Sequence, residues 1–241
     1  MAMGFMYTLA RNLDIAVVNM QQKDFYAVRG RPSMPIDGST MLVVGLGGAG
    51  TEIARQAHEA GMRVIATRNS SHEGPDYVEY VGLADELPKL IGQADVVMIA
   101  APLTPQTKNL INAEMMAKMK RGAMIINFTR AEIINSVDLA AALKSGQVGS
   151  VGMNWATTEP LPKDHPLRSA PNVILTPWGG AMSADNMQKK PEPAPSPVAA
   201  PKMNDKDRYE AELRWVLVRE NMRRFAAGDK MYSVFDLERG Y

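Results

Sequence analysis

Residues 41–50, MLVVGLGGAG, run directly into TEIARQAHEAG at 51–61, and this junction decides how the rest of the chain is read. Met41 to Val44 is an unbroken apolar run of strand length, the form taken by a strand buried on both faces. Gly45, Gly47 and Gly50 follow in G-x-G-x-x-G spacing, and the stretch after them reads as a helix closed by Gly61. Between a strand and a helix, such glycines allow a tight turn, close approach of a pyrophosphate and close helix packing. The first helical turn then offers amide donors that lack intrahelical partners. Nucleotide binding is the reading; a glycine turn that serves packing alone is the alternative.

The same alternation continues outward. MRVIATR (62–68) is a second strand, and DVVMIAAP, AMIINFTR, VGSVGMNW and NVILTP supply later ones, with helices near 84–93, 112–120 and 136–145. Ser136 is the expected N-cap of the last helix and Gly146 its stop. Strands alternating with helices predict an α/β fold, a Rossmann-type doubly wound parallel sheet with flanking helices. Upstream, Met6, Leu9, Leu13, Val17 and Met20 recur at spacings of three and four, which predicts one amphipathic helix with a buried face. Downstream, residues 187–204, MQKKPEPAPSPVAAPKMN, are too rich in proline and alanine for regular packing and read as a linker or surface loop. The expected organisation is thus an N-terminal helix in 1–30, a dinucleotide-binding domain in 31–186, the linker in 187–204, and a C-terminal helix and tail in 205–241.

Composition narrows the partners. Lys and Arg number 27 against 26 Asp and Glu, a formal charge of +1 with no long block of one sign, so neither nucleic acid nor an anionic membrane is the expected partner. The chain holds no cysteine, which removes disulfides, thiolate nucleophiles and cysteine metal ligands together; no metal site is read. The opening MAMGFMYTLARNLD lacks basic residues ahead of its short apolar run, so it reads as neither a signal peptide nor a membrane span, and a cytoplasmic location is inferred.

The end of the second strand bears on cofactor choice. An NAD site usually carries a carboxylate there to accept hydrogen bonds from the adenosine ribose, whereas this chain has TRNSS. Arg68 would attract a ribose 2′-phosphate, with Asn69, Ser70 and Ser71 as further donors, so NADP is favoured and NAD remains possible. A solvated surface arginine is the alternative at Arg68.

Several stretches together resemble the NAD(P)-dependent D-isomer-specific 2-hydroxyacid dehydrogenases, which include glyoxylate and hydroxypyruvate reductases. They are VVGLGGAG (43–50), DVVMIAAPLTPQTKNLINAEMMAKMKRGAMIINFTR (95–130), DLAAALKSGQVGSVGMN (138–154), EPLPKDHPLRSAPNVILTP (159–177) and the closing VRENMRRFAAGDKMYSVFDLERGY. The resemblance implies a small 2-oxo or 2-hydroxy acid as substrate and a homodimer joined through the dinucleotide domain. It also implies a mechanism in which an arginine binds the substrate carboxylate and a histidine supported by a glutamate protonates the oxygen. Arg130 falls on the arginine position and Glu159 on that of the glutamate; by residue type alone either is equally a surface charge. The cofactor-lining set it implies takes in Gly45, Gly47, Gly48, Ala49, Gly50, Arg68, Asn69, Ser70, Ala101, Pro102, Thr107, Phe128, Thr129, Arg130, Asn154 and Gly180.

The chain also departs from the family pattern. Trp178 stands where the catalytic histidine is expected, and an indole N–H donates a hydrogen bond but exchanges no proton near neutral pH. The three histidines, His58, His72 and His165, read as solvated side chains. Asn154 replaces an aspartate near the nicotinamide carboxamide, Gly48 an arginine within the glycine motif, and Ala131 a glycine, with strain expected if positive φ is required there. The family's N-terminal substrate-domain half is expected to be missing. Two functions therefore compete: an NADPH-linked reductase of small 2-oxo acids, and a catalytically impaired nucleotide-binding relative with a sensing or assembly role.

Overall fold

The computed structural model describes residues 1–22, 32–154 and 161–176. In chain order these form α1 (Ala2–Ala10), α2 (Leu13–Gln21), β1 (Thr40–Val44), α3 (Gly48–Glu59), β2 (Arg63–Thr67), β3 (Tyr80–Gly82), α4 (Leu87–Leu90), β4 (Val96–Ile99), α5 (Ala113–Ala117), β5 (Ala123–Asn127), α6 (Ser136–Ser145), β6 (Val148–Met153) and β7 (Val173–Leu175). The seven strands make one sheet in the order β3-β2-β1-β4-β5-β6-β7, every pair parallel. The doubly wound sheet expected from the sequence is the fold observed.

Buried on both faces, the strands divide their residues by alternation. Leu42, Val44, Val97, Ile99 and Ile125 face the layer containing α4, α5 and α6. Met41, Val43, Val96, Met98, Met124 and Ile126 face the layer of α1 and α3. Period-two geometry sends successive side chains to opposite faces, which is why an unbroken apolar run can satisfy both cores.

The N-terminal stripe divides instead of covering one face. Met6 and Leu9 are buried against the sheet, but Asn12 takes a left-handed conformation (φ 58) and breaks the helix after α1. α2 begins after this turn and buries none of its residues, so Leu13, Val17 and Met20 are exposed, at 51%, 57% and 58%. The expectation of a single helix with one buried face is thereby corrected. Apolar spacing continues across Asn12, whereas the helix does not.

Smaller differences have local causes. Asn135, not Ser136, caps α6, its Oδ1 accepting from Val137 N and Asp138 N at 3.1 Å each. Gly146 ends that helix in a left-handed conformation (φ 72), as expected. The helix expected near 84–93 is a single turn, α4, between 3₁₀ turns at Ala84–Glu86 and Ile91–Gln93. β3 was not anticipated. The proline-rich stretch and the C-terminal helix lie outside the described residues.

Candidate functional site

In an all-parallel sheet every strand delivers its carboxyl end to the same edge, and the strand order reverses between β1 and β4. Doubly wound folds bind ligands outside that switch point. The turns after the two strands touch there: a Cβ on Gly45, which has φ +100, would lie 2.7 Å from Ala101 N. On Gly50 a Cβ would meet Gly45 O at 2.0 Å. Gly50 therefore serves the close approach of α3 to the β1 turn and Gly45 that of the β1 turn to the turn after β4, and the packing alternative holds for these two.

It does not account for Gly47 or Gly48, where an added Cβ would have nothing within 4 Å. Gly47, Gly48 and Ala49 are exposed at the start of α3. That helix begins without a side-chain cap and without an acidic residue in its first turn, so no side chain of its own opposes its positive end. Open space in front of uncapped amide donors suits a pyrophosphate. Gly48 in place of arginine leaves this space free but supplies no cation.

Arg68 and Asn69 follow β2. One guanidinium N–H donates to Glu73 O at 2.9 Å, which orients the side chain and uses one of its five donors. Behind the loop, His72 Nδ1 donates to Val81 O at 2.8 Å, and Glu86 accepts from Tyr80 OH at 2.6 Å and from Leu83 N at 2.9 Å. The Tyr80 hydroxyl, together with that backbone amide, holds the Glu86 carboxyl below the usual carboxylate range, and the same bond raises the Tyr80 phenol. Ser70 is exposed on the same loop.

After β4, Ala101 is buried and Pro102 exposed. The Thr107 hydroxyl donates to Pro102 O at 2.7 Å and accepts from Thr104 N at 2.7 Å, while Thr107 N donates to Thr104 Oγ1 at 3.2 Å. This reciprocal pair shapes the loop from within. Thr104 was missed by the sequence reading, although T-x-x-T around Pro105 is the pattern that would have found it.

The ends of β5, β6 and β7 form a continuous polar row. Asn127, the last residue of β5 and 3% exposed, accepts at Oδ1 from Thr129 N and Thr129 Oγ1, both at 2.9 Å, and donates from Nδ2 to Arg130 O at 2.9 Å. Asn154 N donates to Asn127 O at 3.0 Å, and Thr176 Oγ1 donates to Asn154 Oδ1 at 3.1 Å. Arg130 itself is exposed, while Phe128 packs beside the α1 and α3 core. Ala131 is buried within a 3₁₀ turn and lies outside the positive-φ set, so the strain expected from the lost glycine is absent. Asn127 was also missed; a lone amide closing the apolar run AMIIN was its signal.

His165 is a correction as well. Nδ1 accepts from Leu167 N at 3.2 Å, which puts its proton on Nε2, 3.1 Å from Ser136 Oγ. Half-buried between α6 and the turn at Pro166–Arg168, this ring is structural rather than solvated. Glu159, Trp178 and Gly180 lie outside the described residues.

Comparison with known proteins agrees with this fold. Residues 3–180 match the family model described as D-isomer specific 2-hydroxyacid dehydrogenase, NAD binding domain. A hydroxypyruvate reductase of Blautia hydrogenotrophica is 38% identical over 149 residues, 61% of this chain and 45% of the relative. A glycerate dehydrogenase of Methylorubrum extorquens is 38% identical over 160 residues, 65% of this chain and 48% of the relative. The chain thus spans less than half the length of either. Among solved structures, the TT0316 protein of Thermus thermophilus superposes with a TM-score of 0.66 at 30% identity, covering 76% of this chain and 57% of that one. Among the described residues no helix is long and apolar enough to cross a membrane.

Proposed function

The chain belongs to the D-isomer specific 2-hydroxyacid dehydrogenases through their NAD-binding domain, and from that premise we propose an NADPH-linked reductase of a small 2-oxo acid such as glyoxylate or hydroxypyruvate. The observation that carries the proposal is the single edge on which the glycine turn, the Arg68 loop and the Arg130 loop all open. When bound, the dinucleotide supplies hydride to the 2-oxo carbon.

The chain's own residues divide the remaining work. Amides of Gly48, Ala49 and Gly50 hold the pyrophosphate, and Arg68, with Asn69 and Ser70, takes the ribose 2′-phosphate. Ala101, Pro102 and the Thr107 loop wall the middle of the groove, while Phe128 and Thr129 border its nicotinamide end. Asn154 offers an amide to the carboxamide. Arg130 grips the substrate carboxylate through its planar fork, which a lysine would not reproduce. Glu159 stands ready for a proton-relaying partner, and Trp178 offers a hydrogen bond in place of a proton. That substitution favours the second reading, a nucleotide-binding relative with little turnover.

Titration calorimetry with both cofactors tests the assignment. NADPH is expected to bind about ten- to a hundredfold more tightly than NADH, the worth of a charge-assisted contact of roughly 1.5–3 kcal/mol. Arg68→Ala should remove most of the difference. Equal affinities in the unmodified chain would end the NADP assignment.

The exposed apolar face of α2 supports a second expected outcome. We place the partner of a homodimer on Leu13 and Val17, which are 51% and 57% exposed in the single chain. Leu13→Asp should shift the protein to monomer in light scattering at micromolar concentration, because an uncompensated charge is costly to bury. A monomeric unmodified chain would exclude the arrangement.

A further inference from the structure

We infer that Asn127 is a positioning residue that sets the reach of Arg130 toward the substrate carboxylate and ties that loop to Asn154. This rests on the reading of Arg130 given above. The side-chain amide of Asn127 closes on the three residues that follow it, with Oδ1 on both donors of Thr129 and Nδ2 on the carbonyl of Arg130. Ahead of the arginine, the buried turn Ala131–Ile133 is pinned by Asn109 N on Glu132 O at 2.8 Å and Ile111 N on Ile133 O at 3.0 Å. The Arg130 backbone, extended at φ −123 and ψ 132, is therefore fixed from both sides. The exposed side chain turns back on the same loop, one guanidinium N–H donating to Thr129 O at 3.4 Å.

An amide is the group this position needs. It must accept two hydrogen bonds on one atom and donate from the other, in a place that is 3% exposed. A leucine would take the partner from Thr129 N and Thr129 Oγ1 and leave the Arg130 carbonyl only the 3.3 Å bond from Ile133 N, and an ionised aspartate would set oxygen against that carbonyl. The main-chain carbonyl of the same residue receives Asn154 N. One buried residue thus spaces the arginine assigned to substrate from the amide assigned to the nicotinamide.

The experiment measures binding of oxamate, an unreactive analogue of a 2-oxo acid, to the full chain saturated with NADPH, by calorimetry at pH 8 and pH 5.5. The unmodified chain should show similar affinity at both, and Arg130→Ala should lose binding at both. Asn127→Asp should bind about tenfold more weakly at pH 8 and recover most of the loss at pH 5.5. A buried carboxyl facing a carbonyl takes up a proton above the usual range, and its O–H then stands where the amide N–H stood. Unmodified affinity in Asn127→Asp at pH 8, or a loss that does not respond to pH, overturns the inference. Unmodified affinity in Arg130→Ala instead removes the reading beneath it. Should Asn127→Asp fail to fold at pH 8, Asn127→Ser serves at pH 7: its hydroxyl is too short to span Thr129 and Arg130, so about a tenfold loss is expected, and none would overturn the inference.

Discussion

Gly50→Ala is expected to lower the melting temperature by roughly 6–12 °C and to abolish measurable NADPH binding, while Gly47→Ala loses affinity alone. The methyl group added at position 50 would lie 2.0 Å from Gly45 O, 3.1 Å from Gly45 C and 3.2 Å from the Ala100 side chain. Two of these are backbone atoms of the β1 turn, which no rotamer change can move aside. α3 must retreat from the sheet, loosening Ile53, Ala54 and Ala57 from the core they share with β1 and β2. Overpacking of this kind costs about 1–3 kcal/mol, and a backbone clash belongs near the top of that range. Each kcal/mol shifts the midpoint by roughly 2–4 °C in a chain of this size. The same retreat moves the first-turn amides away from the β1 turn, so binding falls with stability.

At Gly47 the added methyl group meets nothing within 4 Å. It projects into the space assigned to the pyrophosphate, where close backbone approach is the reason for glycine. Calorimetry and thermal melts on both variants separate the two roles. A Gly47→Ala protein that binds NADPH as tightly as the unmodified chain would show that the open space is not the phosphate site.

How far these roles were legible in the sequence depends on what signals them. Strands buried on both faces announce themselves as apolar runs, so β1, β4 and β5 were readable from residues 41–44, 96–99 and 123–126. β3 is three residues, Tyr80 to Gly82, too short to establish any period. The Asn12 break was hidden for a different reason. A left-handed turn costs an asparagine little and leaves the spacing of Leu9 and Leu13 unchanged, so periodicity carried the helix past its end.

The site divides in the same way. Gly45 and Gly50 were legible because their role resides in residue type, the absent Cβ atom. Asn127, Thr104 and His165 act through hydrogen bonds that form only once a loop has closed on itself or on a neighbouring helix. The lone amide closing AMIIN and the T-x-x-T around Pro105 were the only signals of the first two, and neither names the partners that the closed loop supplies.

Reduction of glyoxylate and hydroxypyruvate by the unmodified chain is expected to be very slow or undetectable, and Trp178→His should raise the rate by about 10²- to 10⁴-fold, the usual contribution of a positioned general acid. Reduction of a 2-oxo acid needs a proton on the oxygen as hydride reaches the carbon. An indole N–H at that place can polarise the carbonyl but cannot surrender its proton near neutral pH. The chain has three histidines from which to find a substitute. His58 lies in the last turn of α3, the end farthest from the glycine turn, with its ring 6.0 Å from that of Tyr77. His72 is bonded to Val81 O on β3, and His165 spends Nδ1 on a backbone amide and lies with Nε2 beside Ser136. None is available without giving up a place in the fold or crossing the sheet. On the proposed reading, in which Glu159 and position 178 take the family's glutamate and histidine places, a histidine at 178 would gain a carboxylate partner able to raise its basicity and fix its tautomer. NADPH oxidation followed by its absorbance for both proteins, with the two acids in turn, decides the matter. Turnover by the unmodified chain at the ~1–10³ per second common among enzymes would show that Trp178 is no lesion, and His165→Ala would then be the next variant to assay.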